Sequence, residues 1–184
     1  MRKLLNGLYS LTLALSAACL VAILVLVGAQ ICGQIFDSIL KLSGYPPYGF
    51  LVPSLAEIGG YLFGVASFLA LGATLKRGAH IRVTMLLGAM RPRIRRGFEL
   101  WALIAGLAVA VYASWSLATL TYFSWKFGDV SSGLIPIKYW IPQSAMTFGL
   151  VTLCIALLDE FFETLRKGSP SFVKAESAIT QGQE

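Results

Sequence analysis

The fold is decided by residues 55–82, which read LAEIGGYLFGVASFLALGATLKRGAHIR. Eighteen consecutive residues without Asp, Glu, Lys or Arg separate Glu57 from Lys76. At a rise of about 1.5 Å per residue, that stretch forms a helix of about 27 Å, close to the thickness of the hydrocarbon core of a bilayer. The stretch therefore predicts a transmembrane helix over 55–76, with Glu57 and Lys76 at opposite interfaces.

Three further apolar stretches predict spans at about 11–36, 98–122 and 139–160. The composition agrees, because 57% of the 184 residues are hydrophobic and 13% are charged, whereas soluble domains carry about 25% charged residues. We therefore predict an all-α polytopic membrane protein in which residues 1–167 form a single domain of four transmembrane helices. Residues 168–184, rich in Ser, Gly, Gln and Glu, are predicted to be a mobile tail.

Segments at the membrane surface are predicted beside these spans. Residues 4–10 either lie along the interface or extend a tilted first helix. Residues 85–96 mix apolar and basic side chains, which predicts a short interfacial helical segment on anionic lipid. The proline-rich stretch 37–54 is expected to form a compact cap, and Ser54 followed by Glu57 predicts an N-capped start of the second span.

The distribution of basic residues predicts the orientation. Twelve of the fifteen Lys and Arg residues fall on one side of the predicted topology, while Lys41, Lys126 and Lys138 fall on the other. Positive residues are retained on the cytoplasmic side, so both termini are predicted to be cytoplasmic. This arrangement also accounts for the net charge of +6 without a nucleic-acid partner.

Small residues at a four-residue step predict close packing between the helices. The second span carries Ala56, Gly60 and Gly64, which include a GxxxG pattern, and the first and third spans carry similar rows. Because Ala and Gly are also simply frequent in membrane helices, one row alone is a weak signal. Three rows together favour a packed helical unit over four independent anchors.

Glu57 is the main candidate for a functional residue, because an ionisable residue in a membrane segment is a functional hypothesis by default. Its position at the end of the span favours a structural role, either stabilising the helix N-terminus or contacting Gln30 or Gln34. Proton or ion coupling remains the alternative. The acids Asp159 and Glu160, with Glu163 close by, are interpreted as solvated residues at the exit of the fourth span.

The sequence predicts neither a cofactor nor a metal site. His80 is the only histidine, and Cys19, Cys32 and Cys154 form no CxxC pair. The three cysteines are interpreted as small apolar core residues. No serine, base and acid constellation, phosphate loop or paired carboxylates are visible, so we do not expect an enzyme.

A set of motif residues spans the second helix and the approach to the fourth. It comprises Glu57, Gly72, the run Arg77, Gly78, Ala79, His80, Ile81, Arg82 and Val83, the segment Arg91-Pro92-Arg93, the segment Ser131 to Pro136, Trp140 and Pro142. In this respect the chain resembles, over about residues 4–162, the small membrane subunit of tripartite ATP-independent periplasmic (TRAP) transporters. The chain departs from the family pattern at two points. It has Thr84 where family members commonly carry an acid, and it lacks a tryptophan that is often found early in the second span.

The resemblance implies a noncatalytic subunit in the bacterial inner membrane. In that family a large permease subunit carries the substrate and sodium sites, and a periplasmic binding protein delivers an organic acid. The small subunit is a scaffold for the large one. Arg77 and His80 are then expected to fix the inner end of the second span to anionic lipid headgroups or to the partner. The alternatives are a self-sufficient homodimeric exporter coupled to protons through Glu57, and an unrelated assembly factor.

Overall fold

The computed structural model describes residues 2–76 and 92–167. These residues form four α-helices: α1 (Arg2–Leu42), α2 (Leu55–Lys76), α3 (Pro92–Phe127) and α4 (Trp140–Lys167). Each helix is long and apolar enough to cross a membrane. The described part of the chain contains no β-strand, and the all-α prediction with four membrane-spanning helices is confirmed.

α2 has the bounds of the span predicted for it, whereas the other three helices extend beyond their predicted spans. α1 has 41 residues, α3 has 36 and α4 has 28, so each is longer than the stretch predicted for it. Outside the hydrocarbon, water solvates charged side chains, and a helix continues there at no electrostatic cost. Charges therefore mark where a helix leaves the hydrocarbon and not where the helix ends.

Two predicted surface segments are parts of long helices. Residues 4–10 extend α1, as one of the two alternatives proposed. Residues 92–96 are the first turns of α3 and not a separate interfacial segment. Pro92 opens that helix at the position where its missing N–H leaves no hydrogen bond unmade. The remainder of the predicted interfacial segment, 85–91, and the predicted tail, 168–184, lie outside the described residues.

The four helices pack side by side in the order α1, α2, α4 and α3. α2 and α4 are the central pair, while α1 packs mainly on α2 and α3 packs on α4. The buried face of α4 carries a small or polar residue at every fourth position. These residues are Thr152, Ala156, Glu160 and Thr164, each with at most 1% of its surface exposed. Their four-residue spacing places them on one side of the helix.

Side chains of α1 hold the connection between α1 and α2 against the helix. The Asp37 carboxylate accepts hydrogen bonds from the backbone N–H groups of Tyr48 (2.8 Å) and Gly49 (2.9 Å). Gln30 Oε1 accepts another from the N–H of Val52 (2.6 Å). These bonds satisfy backbone donors that no secondary structure pairs. The predicted bounds of the cap, 37–54, are wrong at their start, because residues 37–42 continue α1.

Candidate functional site

The first polar cluster lies where α2 begins and is called the Glu57 cluster: Ser54, Glu57, Tyr61, Gly133 and Ile135. Glu57 Oε1 accepts a hydrogen bond from the Tyr61 hydroxyl at 3.0 Å. Glu57 Oε2 is buried and has no hydrogen-bond partner among the described residues. The Cα of Gly133 lies so close that a methyl group there would overlap Oε2 and lie 2.8 Å from Ser54 Oγ. The connection between α3 and α4 is thus packed onto the first turn of α2.

Ser54 precedes α2 at the predicted N-cap position, but its side chain joins the helix to that connection instead of capping it. Its backbone is in the left-handed region, with φ of 54°, and its Oγ accepts a hydrogen bond from the N–H of Ile135 at 3.1 Å. The carbonyl oxygen of Ser54 accepts from the N–H groups of Glu57 and Ile58. The predicted start of α2 at residue 55 is confirmed. The predicted side-chain cap is wrong, because the hydroxyl bonds a distant backbone donor instead of its own helix.

The connection between α3 and α4 is itself folded around Ser131. This residue is buried, its Oγ accepts from the N–H of Ile137 at 3.1 Å, and its own N–H donates to the carbonyl of Ile137 at 2.8 Å. The N–H of Tyr139 donates to the carbonyl of Asp129. These bonds position Gly133 against the Glu57 carboxylate.

Replacing Gly133 with alanine is expected to lower the free energy of unfolding by about 1 kcal/mol, the low end of the cost of overpacking. The cost is small because the atoms in the way belong to side chains that are able to rotate. Unfolding in detergent, followed by tryptophan fluorescence, measures the change. The matched control is Gly59→Ala, where a methyl group meets nothing within 4 Å. Equal stabilities of the two variants would contradict the close contact at Gly133.

The second polar cluster lies at the other end of α2 and is called the Lys76 cluster: Tyr9, Lys76, Asp159 and Glu160. Lys76 Nζ donates to Glu160 Oε1 at 2.9 Å and forms an ion pair with Asp159. The Glu160 side chain is fully buried, and that of Lys76 is 17% exposed. The ion pairs join the last residue of α2 to α4. The sequence interpretation of Glu160 and Glu163 as solvated acids is wrong, because both are buried.

The sequence that forms these two clusters also matches a known protein family. A family model described as the DctQ component of the tripartite ATP-independent periplasmic transporters matches residues 50–167. The chain belongs to the DctQ family. Comparison with curated proteins gives no match. The DctQ match contains α2, α3 and α4, so it includes all of the Glu57 cluster and every member of the Lys76 cluster except Tyr9.

DctQ proteins are the small permease components of TRAP transporters, which also contain a large permease and a binding protein. Membership of a transporter component family points away from an enzyme and gives no support to the self-sufficient exporter. The position of Glu57 agrees, since it lies in the first turn of α2 and not in the middle of the membrane. Its carboxylate contacts Tyr61, and the contact with Gln30 or Gln34 that we considered is not made.

Three glycines of this DctQ chain, Gly64, Gly72 and Gly149, lie in the contact between α2 and α4, whereas Gly60 does not. A methyl group at Gly60 would meet nothing within 4 Å, so the predicted GxxxG contact is wrong at this residue. Gly64 faces Met146, and a methyl group at Gly72 would lie 3.1 Å from Thr152 Cγ2. The closest approach to backbone atoms is at Gly149 on α4, where a methyl group would lie 2.5 Å from the carbonyl carbon and oxygen of Phe68 on α2.

Trp140 and Pro142, two further motif residues, lie in the first turn of α4. Trp140 lines a groove between α3 and α4 together with Tyr122 and Trp125. Pro142 is buried and lines an apolar cavity of about 310 Å³ between α2 and α4, together with Tyr61. Both residues therefore shape contacts between helices. The other motif residues, Arg77, Gly78, His80, Ile81 and Arg82, lie outside the described residues.

Sequence reasoning missed several contacts of this arrangement. It did not connect Lys76 with Glu160, although opposite charges at the same end of two spans are a signal for an ion pair. Gly149 follows Ala145 at a four-residue step, the same pattern that was noted in the other spans. Tyr9 gave no signal, since its burial depends on α2 and α4. The core interpretation of the cysteines is wrong for Cys32, which is exposed on α1.

Proposed function

We propose that this DctQ chain is the noncatalytic scaffold of a TRAP transporter. It holds the large permease subunit in the bacterial inner membrane during sodium-coupled uptake of an organic acid, which a periplasmic binding protein delivers. The observation that carries the proposal is the DctQ match over residues 50–167. In this proposal the large subunit binds and transports the substrate. The Glu57 cluster and the Lys76 cluster fix the helices of this chain.

The exposed surface of α3 supports a protein partner. Trp101, Tyr112 and Trp115 are more than half exposed and lie on the side of α3 opposite its buried residue Ala110. Tyr112 is the middle residue of the candidate span Gly97–Phe127. Tyr and Trp favour the membrane interfaces, because hydrocarbon offers their O–H and N–H groups no acceptor. Large aromatic side chains at mid-span are better accommodated against another protein than against lipid.

A pull-down in mild detergent tests the proposal. The tagged chain, purified from its native membrane, is expected to recover a much larger polytopic membrane protein in near-equal amount, identified by mass spectrometry. Trp115→Ala is expected to reduce that recovery, because large aromatic residues dominate interface energies. The control is Leu24→Ala on α1, whose side chain is 71% exposed. Recovery of this chain alone as a stable homo-oligomer would contradict the scaffold and favour the exporter.

Arg77 and His80 follow the last residue of α2, Lys76, in the sequence. They are proposed to fix this end of α2 to anionic lipid headgroups or to the large subunit. The double variant Arg77→Ala with His80→Ala is expected to lower the yield of the complex. Normal copurification together with normal transport would refute this role. Matched quantities of variant and parent chain in the membrane, checked by immunoblot, separate weaker assembly from weaker expression.

The basic residues support an orientation with both termini in the cytoplasm. In a variant without the three native cysteines, a cysteine introduced at Ser132 should react with a membrane-impermeant maleimide in intact spheroplasts. A cysteine at Ser177 should react only after lysis. The opposite labelling pattern would reverse the proposed topology.

A further inference from the structure

α1 extends past the rest of the domain at the end where α2 begins. Gln30 Oε1 accepts a hydrogen bond from the N–H of Val52, three positions before α2 starts at Leu55. Residues 31–42 continue α1 beyond this level by about 18 Å, at a rise of about 1.5 Å per residue. Because the apolar part of α2 alone matches the thickness of the hydrocarbon core, residues 31–42 lie among lipid headgroups and water. They are called the projecting segment.

The connection between α1 and α2 covers only one side of the projecting segment. Asp37 accepts hydrogen bonds from the backbone of this connection, and the ring of Phe50 lies against Gly33. On the other side is a groove of about 410 Å³, lined by Ile31, Gln34, Ile35, Ser38, Ile39 and Leu42. Ile31, Ile35 and Leu42 are at least half exposed. A contiguous apolar surface outside the hydrocarbon core marks an interaction site.

The uncovered side of α1 carries a seven-residue repeat. From Val21 onward, alternating steps of three and four residues follow one row, called the α1 seam: Val21, Leu24, Gly28, Ile31, Ile35, Ser38 and Leu42. The side chains of this row are exposed, and a methyl group at Gly28 would meet nothing within 4 Å. A period of 3.5 residues is that of a coiled coil, in which such a row packs on the row of a second helix. The α1 seam therefore predicts a helix as its partner.

The composition of the α1 seam fits a second copy of the same chain. Two copies inserted in the same orientation, related by a twofold axis along the membrane normal, have parallel α1 helices and place each seam residue opposite itself. The seam contains no charged residue, so no like charges meet across the axis. Gly28 near its centre lets the two helices approach closely. The carboxylate of Asp37 is directed to the connection, on the side away from the seam.

A second copy on α1 leaves the proposed permease surface free. The helices pack in the order α1, α2, α4 and α3, so α1 and α3 are the two edges of the domain. The exposed aromatic residues that we assign to the large permease lie on α3, at the opposite edge. The DctQ match begins at residue 50 and does not contain α1, so the seam is not a feature that the match describes.

We propose that the α1 seam is a dimer interface, through which two copies of this chain pair in a parallel coiled coil. The two projecting segments remove Ile31, Ile35 and Leu42 from water, and the rows continue into the membrane through Gly28 to Val21. The dimer goes beyond the scaffold function and does not depend on it, because its residues lie outside both polar clusters and outside α3.

Disulfide cross-linking in native membranes tests the interface. In a chain without the three native cysteines, Ser38→Cys places a thiol on the seam, and oxidation with copper phenanthroline is expected to give a product of twice the chain mass. The matched control is Phe36→Cys. Phe36 is 57% exposed on the same segment but lies almost on the opposite side of the helix from Ser38. Equal dimer yields for the two variants, no dimer for Ser38→Cys, or a product with a different protein would each overturn the proposal.

The number of copies per particle, measured by native mass spectrometry in mild detergent, gives a second test. The parent should contain two copies, and Ile35→Glu should raise the dissociation constant of the dimer at least about tenfold, because two carboxylates then face each other across the seam. Phe36→Glu is the control and should leave the dimer intact. Since both residues are exposed in the single chain, both variants should keep the melting temperature of a single chain. A dimer insensitive to Ile35→Glu would overturn the proposal, and so would loss of the large permease from that variant alone.

Discussion

Replacing Lys76 with methionine is expected to lower the free energy of unfolding by about 3–5 kcal/mol, the usual cost of removing one partner from a buried ion pair. The substitution keeps the length and apolar stem of the side chain but leaves the fully buried Glu160 and its neighbour Asp159 without the ammonium group. The Glu160 side chain has no access to water, whereas that of Asp159 is 32% exposed, so most of the cost arises at Glu160. Unfolding in detergent, followed by the fluorescence of the four tryptophans, measures the change.

Two comparisons make this expectation specific. Lys41→Met removes an exposed positive charge from the last turn of α1 and should change stability by no more than about 0.5 kcal/mol. Adding Glu160→Gln to Lys76→Met should recover part of the loss, because it removes one of the two carboxylates with which Lys76 forms ion pairs. If Lys76→Met and Lys41→Met were equally stable, the ion pair would not hold α2 to α4.

Gly149→Leu is expected to separate the central helices and to cost about 3 kcal/mol or more, the upper range for overpacking. A methyl group at this position would already lie 2.5 Å from the Phe68 carbonyl and 2.8 Å from the Leu69 nitrogen. These are backbone atoms of α2, so no side-chain rotation makes room, and the two helices have to move apart. The yield of monodisperse protein and its unfolding in detergent report the effect.

The control for this substitution is Gly60→Leu, at the glycine that the GxxxG pattern singled out. Nothing lies within 4 Å of a methyl group there, so its stability should stay within about 0.5 kcal/mol of the parent chain. Gly72→Ala should lie between the two, since its methyl group would come 3.1 Å from Thr152 Cγ2 and 3.2 Å from the Thr152 carbonyl oxygen. A reversed order, with Gly60→Leu the most damaging, would refute the helix contact described here.

The sequence predicted the number of helices and the bounds of α2, because an uncharged apolar stretch of one bilayer thickness is rare outside transmembrane helices. It did not predict the ends of α1 and α3, since a helix continues into water without a change in hydropathy that marks its end. Periodicity identified small residues but not the face that packs, and so favoured Gly60 over Gly149. Which small residue meets a neighbour depends on the order of the helices in the membrane, which hydropathy does not contain.

For the candidate site, the sequence predicted the position of one residue but not the contacts between residues. Glu57 was correctly placed at the end of a span. Its partner Tyr61 lies one helical turn later on the same helix, a spacing that the sequence contains. The contact with Gly133 follows instead from how the connection between α3 and α4 folds back. Glu160 was interpreted as solvated because it follows an apolar stretch. Its burial follows from the row that it forms with Thr152 and Ala156 on the face of α4 that contacts α2.

The order of the helices in space also has a consequence for biogenesis. The central contact joins residues that are far apart in the chain, as in the hydrogen bond between Lys76 and Glu160, which are 84 positions apart. During synthesis α1 and α2 are available first and pair as neighbours, whereas α2 has to wait for both α3 and α4 before its second interface forms. Until then the face of α2 around Gly72 is uncovered. Nascent chains that stop after α3 are therefore the species that quality-control proteases and insertion chaperones should encounter most often.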